Sequence, residues 1–206
     1  NAVTVQDVSA ALPELKVVSM LNGKYIILGA EYSPVVNPYA YGNAWFVSDF
    51  VSAATPDEEI ALLEGTDLRT TAVIGADFQD AVKNVQTEEM TFDIPRISLT
   101  HYAPNDLRYS FSTGSERAAI FSEIYYPKGW KAYIAATGEP VELFRANWML
   151  RGALIPEGEG ELVMRFEPES YQMGENISRA SSIMLILWLL ASIAGAIIQA
   201  QRVRNS

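Results

Sequence analysis

Two neighbouring stretches hold the residues best suited to recognition chemistry, FSEIYYPKGWKAYI (residues 121–134) and LFRANWMLRG (residues 143–152). They place Tyr125, Tyr126 and Trp130 close in sequence to Arg145, Asn147 and Arg151. Flat rings stack on the C–H faces of sugars, while an amide and guanidinium forks suit hydroxyls and phosphate. These six residues are the candidate substrate-binding group. With period two, Phe144, Ala146, Trp148 and Leu150 share one face of a single strand, and Arg145, Asn147, Met149 and Arg151 the other. The competing reading makes the rings part of a β-sandwich core and pairs Arg145 or Arg151 with Glu123 across strands.

Other chemistries find little support. The single histidine, His101 in LTHYAPND, has no GxSxG elbow or comparable nucleophile context and reads as structural. GAEYSP, GTDL and GKYI do not match phosphate-cradling loops. Glu157, Glu159 and Glu161 form a carboxylate cluster, but the intervening glycines mark a hairpin tip and no calcium-loop spacing is present. No metal and no cofactor is expected. The chain has no cysteine, which removes disulfide and thiolate chemistry. No catalytic residue is assigned.

The elements that must position these residues fall into three regions. Residues 1–90 read as a small α/β subdomain. Asp7–Leu21 has helical apolar spacing interrupted by Pro13, and KYIILG reads as a short buried strand. A strand is expected around Trp45–Val47 and another at TTAVIG. Between them TPDEEIALLEG has clear helix ends: Thr55 as cap, Pro56 at the first position, Glu58 in a capping box and Gly65 as stop.

Residues 91–176 change texture. RISLTHY, LRYSFST, AAIFSEIYY, WKAYI, VELFRANWMLRGALI and ELVMRFEP alternate between turn-rich breaks, the pattern of an antiparallel β-sandwich. Residues 177–206 are expected to form a transmembrane helix with a short tail, after SYQMGENISRA as a polar bridge. Ala180–Gln201 is a run of 22 residues without a charge. As a helix it spans about 33 Å, enough for a hydrocarbon core of about 30 Å. The fold class is thus α+β: a small α/β unit, an antiparallel sandwich, then one C-terminal span.

Charge narrows the partners. The first 180 residues carry 13 basic against 25 acidic side chains, a net of −12. No basic stripe is present, so nucleic acid is not expected as a partner. The start, NAVTVQDVSAALPELKVV, has neither the basic nor the apolar region of a signal peptide. An extracytoplasmic body would therefore need upstream spans to carry it across, and a tail-anchored cytosolic protein is the alternative. Flanking charge (Arg165 and Arg179 before the span, Arg202 and Arg204 after it) is tied in number, and proximity favours a cytoplasmic C-terminus.

The segments SEIYYPKGW, RANWMLRG and FEPESYQMG before a final apolar span resemble the C-terminal region of the YfhO family of bacterial multi-pass membrane proteins. MLNGKYIIL, NPYAYGNAWFV, TPDEEI and TTAVI agree in order and spacing, so the resemblance covers nearly the whole chain. AATGEP is longer than the Asp-Gly turn the family usually has there, and the turn between the last two strands is acidic where the family's is commonly basic or small. The resemblance implies a polytopic glycosyltransferase that takes sugars from polyprenyl-phosphate carriers and modifies cell-envelope glycans. Its catalytic residues would lie outside these 206 residues, and this part would bind or position a glycan or the carrier's sugar. It also implies residues 1–180 outside the bacterial cytoplasmic membrane and a cytoplasmic C-terminus. The expected partners are the bilayer and upstream helices, met through Ala191, Ser192, Gly195 and Ala196, whose small-xxx-small spacing allows close approach. A non-catalytic envelope scaffold that recruits a partner is the alternative function.

Overall fold

The computed structural model describes residues 4–83, 85 and 94–204. The chain divides into two compact units, one ending at Phe166 and one beginning at Glu167. The fold is α+β with antiparallel sheets and a C-terminal apolar helix.

The first unit opens with α1 (Val5–Ala11), a 3-10 turn (Leu12–Glu14) and α2 (Lys16–Met20). The apolar pattern from Asp7 to Leu21 is therefore split at Pro13, whose ring and missing N–H cannot continue an α-helix. Two-residue strands β1 (Tyr25–Ile26) and β2 (Val35–Val36) follow. KYIILG was expected to be buried, but Tyr25 and Ile27 are exposed and only Tyr25–Ile26 is strand. Its apolar composition reflects no core position.

The run from Ala44 to Ala53 holds two strands rather than one. β3 (Ala44–Val47) and β4 (Asp49–Ala53) meet at Ser48 and enter different sheets. β4 continues through α3 (Pro56–Gly65) into β5 (Thr71–Gly75), and β4 and β5 pair in parallel. Thr55 caps the helix and Pro56 opens it as expected, but Glu58 reaches back to Ala54 and not to the Thr55 N–H of a capping box, and the helix runs through Gly65 to a C-cap at Thr66. Thr55 accepts a hydrogen bond from the Glu58 N–H, and Glu58 accepts one from the Ala54 N–H. A 3-10 turn (Ala76–Phe78) and α4 (Gln79–Val82) complete this region.

The remaining strands of this unit are β6 (Arg96–Ala103), β7 (Asp106–Thr113), β8 (Arg117–Ile124), β9 (Trp130–Ile134), β10 (Pro140–Val141), β11 (Leu143–Ala146), β12 (Leu150–Ile155) and β13 (Gly158–Phe166). They form a five-stranded sheet, β10-β9-β13-β7-β6, and a four-stranded sheet, β11-β12-β8-β3. β7 alternates half-buried and buried side chains, as a sheet with one covered face should. β8 is buried at five successive residues, Arg117–Phe121, because the four-stranded sheet is covered on both faces. Ala119, Phe121, Ala153 and Ile155 pack toward the five-stranded sheet. Ala118, Ile120, Phe144, Ala146 and Leu150 pack instead with Leu63, Leu68 and Ile74 of the α/β segment.

That double burial bears on domain organisation. The expected junction near residue 90 lies outside the described residues, but β3 crosses it in space, being hydrogen-bonded to β8. The α/β segment and the sandwich share one core and form one compact unit.

Two further expectations change. VELFRANWMLRGALI is broken by a tight turn at Asn147–Trp148, which separates β11 from β12, so Trp148 and Leu150 do not continue one strand from Phe144. GEGE is not a hairpin tip: only Gly158 takes a left-handed conformation (φ +113°), and Glu159–Glu161 already pair with Phe111–Ser112 and Ser110 on β7.

The second unit is one continuous helix, α5 (Glu169–Arg204). SYQMGENISRA, the polar bridge, is thus itself helical as the first turns of α5. Within α5, Met173–Gly195 is long and apolar enough to cross a membrane, with mean hydropathy 1.8 and none of its most apolar window buried.

Candidate functional site

β8 and β9 belong to different sheets, so the segment between them, Tyr125–Gly129, crosses from one layer of the sandwich to the other. Gly129 has φ +108°, a conformation that glycine adopts without strain. This crossing brings Tyr125, Tyr126 and Trp130 together along a groove of about 280 Å³, completed by Pro127, Lys131 and Pro140. Tyr126 is 51% exposed, and Tyr125 and Trp130 are half-buried. The rings are held by edge and tilted contacts. Phe78 lies 5.3 Å from Tyr125, and Phe166 lies 5.4 Å from Trp130 and 6.3 Å from Tyr126. The Tyr125 N–H also donates to the Met149 carbonyl.

The polar half of the candidate group does not line this groove. Arg145 pairs with Glu59 of α3, Nη2 to Oε2 at 3.1 Å, while Glu59 is fully buried. That contact lies outside hydrogen-bond angles, so Oε2 is paired in charge without a directed bond. Glu59 Oε1 accepts a hydrogen bond from the Trp148 N–H at 2.8 Å, and Arg145 Nη1 donates to the Trp148 carbonyl. The guanidinium also sits 5.6 Å from the Phe78 ring centre.

Asn147 works as a short substitute strand. Its backbone N–H donates to the Val73 carbonyl and its side-chain oxygen accepts from the Val73 N–H, both at 2.8 Å. Both ladder groups of Val73 on β5 are satisfied by one residue of the β11–β12 turn. Asn147 and Trp148 have φ of 48° and 69°, and asparagine is the non-glycine residue best able to adopt the first.

Arg151 pairs in register with Arg145 across β11 and β12, yet its surroundings differ. It is buried, lies 4.1 Å from the Trp130 ring centre, and donates to Met164 Sδ and the Ile124 carbonyl. No carboxylate reaches ion-pair distance of it among the described residues. Burial lowers the Arg151 pKa from the usual arginine range, opposed by the charge of Glu123, and burial likewise raises the pKa of Glu123 above the usual carboxylate value. Burial pushes Tyr109, in the same interior, well above the usual tyrosine range. Tyr125 is raised too, first by burial.

The structure therefore gathers Tyr125, Tyr126 and Trp130 into an accessible site. It uses Arg145 and Asn147 to fasten the α/β segment to the sandwich, and Arg151 to back the Trp130 ring from within. Glu59 was missed because its partner lies 89 residues away in sequence. Its only local signal is an acidic residue one turn inside a helix whose face is otherwise apolar. Of the other residues considered, His101 is exposed on β6 beside a register shift. Glu159 and Glu161 accept bonds from Ser112 and Thr100 across the sheet. AATGEP forms an ordered β9–β10 turn with Gly138 at φ +72°. In α5, Ala191, Ser192 and Gly195 are exposed, and the side chains of Ala196, Arg202 and Arg204 lie outside the described ones.

No family model, no curated protein and no solved structure matches the chain.

Proposed function

We propose that the chain is a membrane-anchored protein whose β-rich unit lies outside the bacterial cytoplasmic membrane and offers the Tyr125–Tyr126–Trp130 groove to an envelope glycan. The observation that carries this reading is α5: its apolar stretch Met173–Gly195 is wholly unburied, which water would penalise and lipid would not. The groove adds an exposed ring and two half-buried ones, the surface that sugar C–H faces favour. The segments resembling the YfhO family support the finer reading. On it the parent is a glycosyltransferase using lipid-linked sugars, and this part positions the glycan acceptor.

One observation favours the scaffold reading. Arg145, Asn147 and Arg151 are all engaged inside the fold, which leaves the groove aromatic and short of hydroxyl-binding forks. On that reading the same rings dock a protein partner.

The chain has no cysteine, so one introduced at exposed Lys128 is a clean reporter. Reaction of Lys128→Cys with an impermeant maleimide on intact cells is expected, and labelling only after permeabilisation overturns the outside placement. In neutral micelles, glycan-array binding by the intact chain that Tyr126→Ala abolishes supports acceptor recognition. Retention of no glycan at all eliminates it and leaves the scaffold.

A further inference from the structure

A larger cleft, of about 660 Å³, opens between β3 and β6 and shares no lining residue with the Tyr126 groove. Among the described residues β3 and β6 are the end strands of their sheets, each hydrogen-bonded to a single neighbouring strand. Three arginines line the cleft: Arg69, Arg96 and Arg117. No acidic side chain lines it among the described residues, in a unit that is strongly acidic overall. Two carboxylates next in sequence to lining residues or close to them are already used, Asp49 by the Ser48 hydroxyl and Asp67 by the Arg69 N–H.

Arg117 decides the matter. It is 9% exposed, its Nε is buried without a hydrogen-bond partner, and no carboxylate pairs with it among the described residues. The other two arginines drawn into this fold have partners for both Nη groups: Arg145 has Glu59 and the Trp148 carbonyl, and Arg151, whose Nε is likewise unbonded, has Met164 and Ile124 and lies over Trp130. With its Nε buried and unbonded, Arg117 carries a desolvation cost at that nitrogen that the free fold does not recover. An oxyanion entering the cleft would recover it through the planar fork that carboxylate and phosphate fit. Arg96 and Arg69 are exposed at the cleft, so they can attract the ligand and close on it without repacking the core. Arg69 already rests 5.2 Å from the Tyr41 ring centre, which limits its freedom.

We propose that the cleft between β3 and β6 is an oxyanion-binding site, with Arg117 inside it and Arg96 and Arg69 at its mouth, and that it takes a ligand bearing phosphate or carboxylate groups. The site is independent of the aromatic groove, and its failure would leave the glycan reading intact.

The test is calorimetric titration of the intact chain in neutral detergent micelles with pyrophosphate and, separately, with citrate. One-to-one binding that weakens as salt is raised is expected. Heat with pyrophosphate alone identifies a phosphate ligand, and heat with citrate alone a carboxylate. Arg117→Gln is expected to weaken binding by about tenfold or more, the range of a charge-assisted hydrogen bond. Arg96→Ala, at an exposed position, should weaken it several-fold while circular dichroism stays unchanged. Arg108→Ala, whose guanidinium is engaged by Asp106 on another surface, should leave it unaltered. If neither anion binds, or if both bind equally well to Arg117→Gln and Arg96→Ala, the proposal is overturned. Should Arg117→Gln fail to fold, Arg96→Ala and Arg69→Ala together decide, and unchanged affinity in both overturns it.

Discussion

Glu59 shows how one side chain can hold distant parts of a chain. Its two oxygens serve the Arg145 guanidinium and the Trp148 N–H, contacts 86 and 89 positions away in sequence. Replacing it with alanine leaves Arg145 without its counter-ion and the Trp148 N–H without an acceptor. The expected cost is about 3–5 kcal/mol, the range for breaking a buried pair from one side. Glu59→Gln keeps an acceptor and should cost less. Urea unfolding of the two variants checks this, and equal midpoints for Glu59→Ala and the parent chain would show that the pair contributes nothing. Glu123 gives a pH-dependent counterpart. Burial raises its folded pKa above the ordinary glutamate value of 4.5, so its protonated form is favoured in the fold. Stability is then greatest below 4.5 as far as this group is concerned, and is lost as pH rises through the folded value. Glu123→Gln removes that loss. Its stability relative to the parent should grow between about pH 4 and pH 7, measured as unfolding free energy at each pH. A difference that stays flat across the range refutes the assignment.

At the scale of elements, the β11–β12 turn matters more than its length suggests. It closes a hairpin, presents Asn147 to the free edge of β5, and offers the Trp148 backbone to α3 and β11. Two terms are separable by mutation. Asn147→Gly keeps the left-handed conformation but leaves the Val73 N–H unsatisfied, at about 1–3 kcal/mol. Asn147→Ala loses the same bond and adds the steric cost of a Cβ in that region, about 1 kcal/mol more. Thermal unfolding should rank the parent above glycine and glycine above alanine. Alanine as stable as glycine would mean that the turn is not held at φ 48°. Other close packing explains why this hairpin has no spare room: Gly152 lies beneath the Phe144 ring, where a Cβ would come within 2.4 Å of it.

For the whole molecule, the two compact units treat their apolar surface differently. The first buries its apolar surface within itself, on both faces of the four-stranded sheet. The second exposes Leu185, Ile186, Leu187, Trp188 and Leu189 along α5. If lipid solvates that helix, Leu187→Arg near the middle of Met173–Gly195 should weaken insertion by about 3 kcal/mol. The intact variant would move from the membrane pellet toward the alkaline-carbonate supernatant. Unchanged extraction by carbonate, with the parent chain itself soluble, would remove the membrane from this account.

Much of this was readable in order along the chain. The α3 N-cap at Thr55, the span-length apolar run and most strand cores follow from local rules, because a cap or an alternation is complete within a few residues. The aromatic segment SEIYYPKGW was likewise readable as a cluster, since a short crossing keeps its rings together. What the linear order could not decide was which partners the polar residues take. Arg145, Asn147 and Arg151 look alike as ligand-binding groups; the packing of α3 and β5 against the β11–β12 turn committed the first two to the interior, and the approach of β9 and β13 committed Arg151. The split of residues 44–53 between two sheets, and the continuous burial of β8, arose in the same way. Hydrogen bonds and buried charges are satisfied by whatever lies nearby in space, and that proximity is a property of the assembled layers.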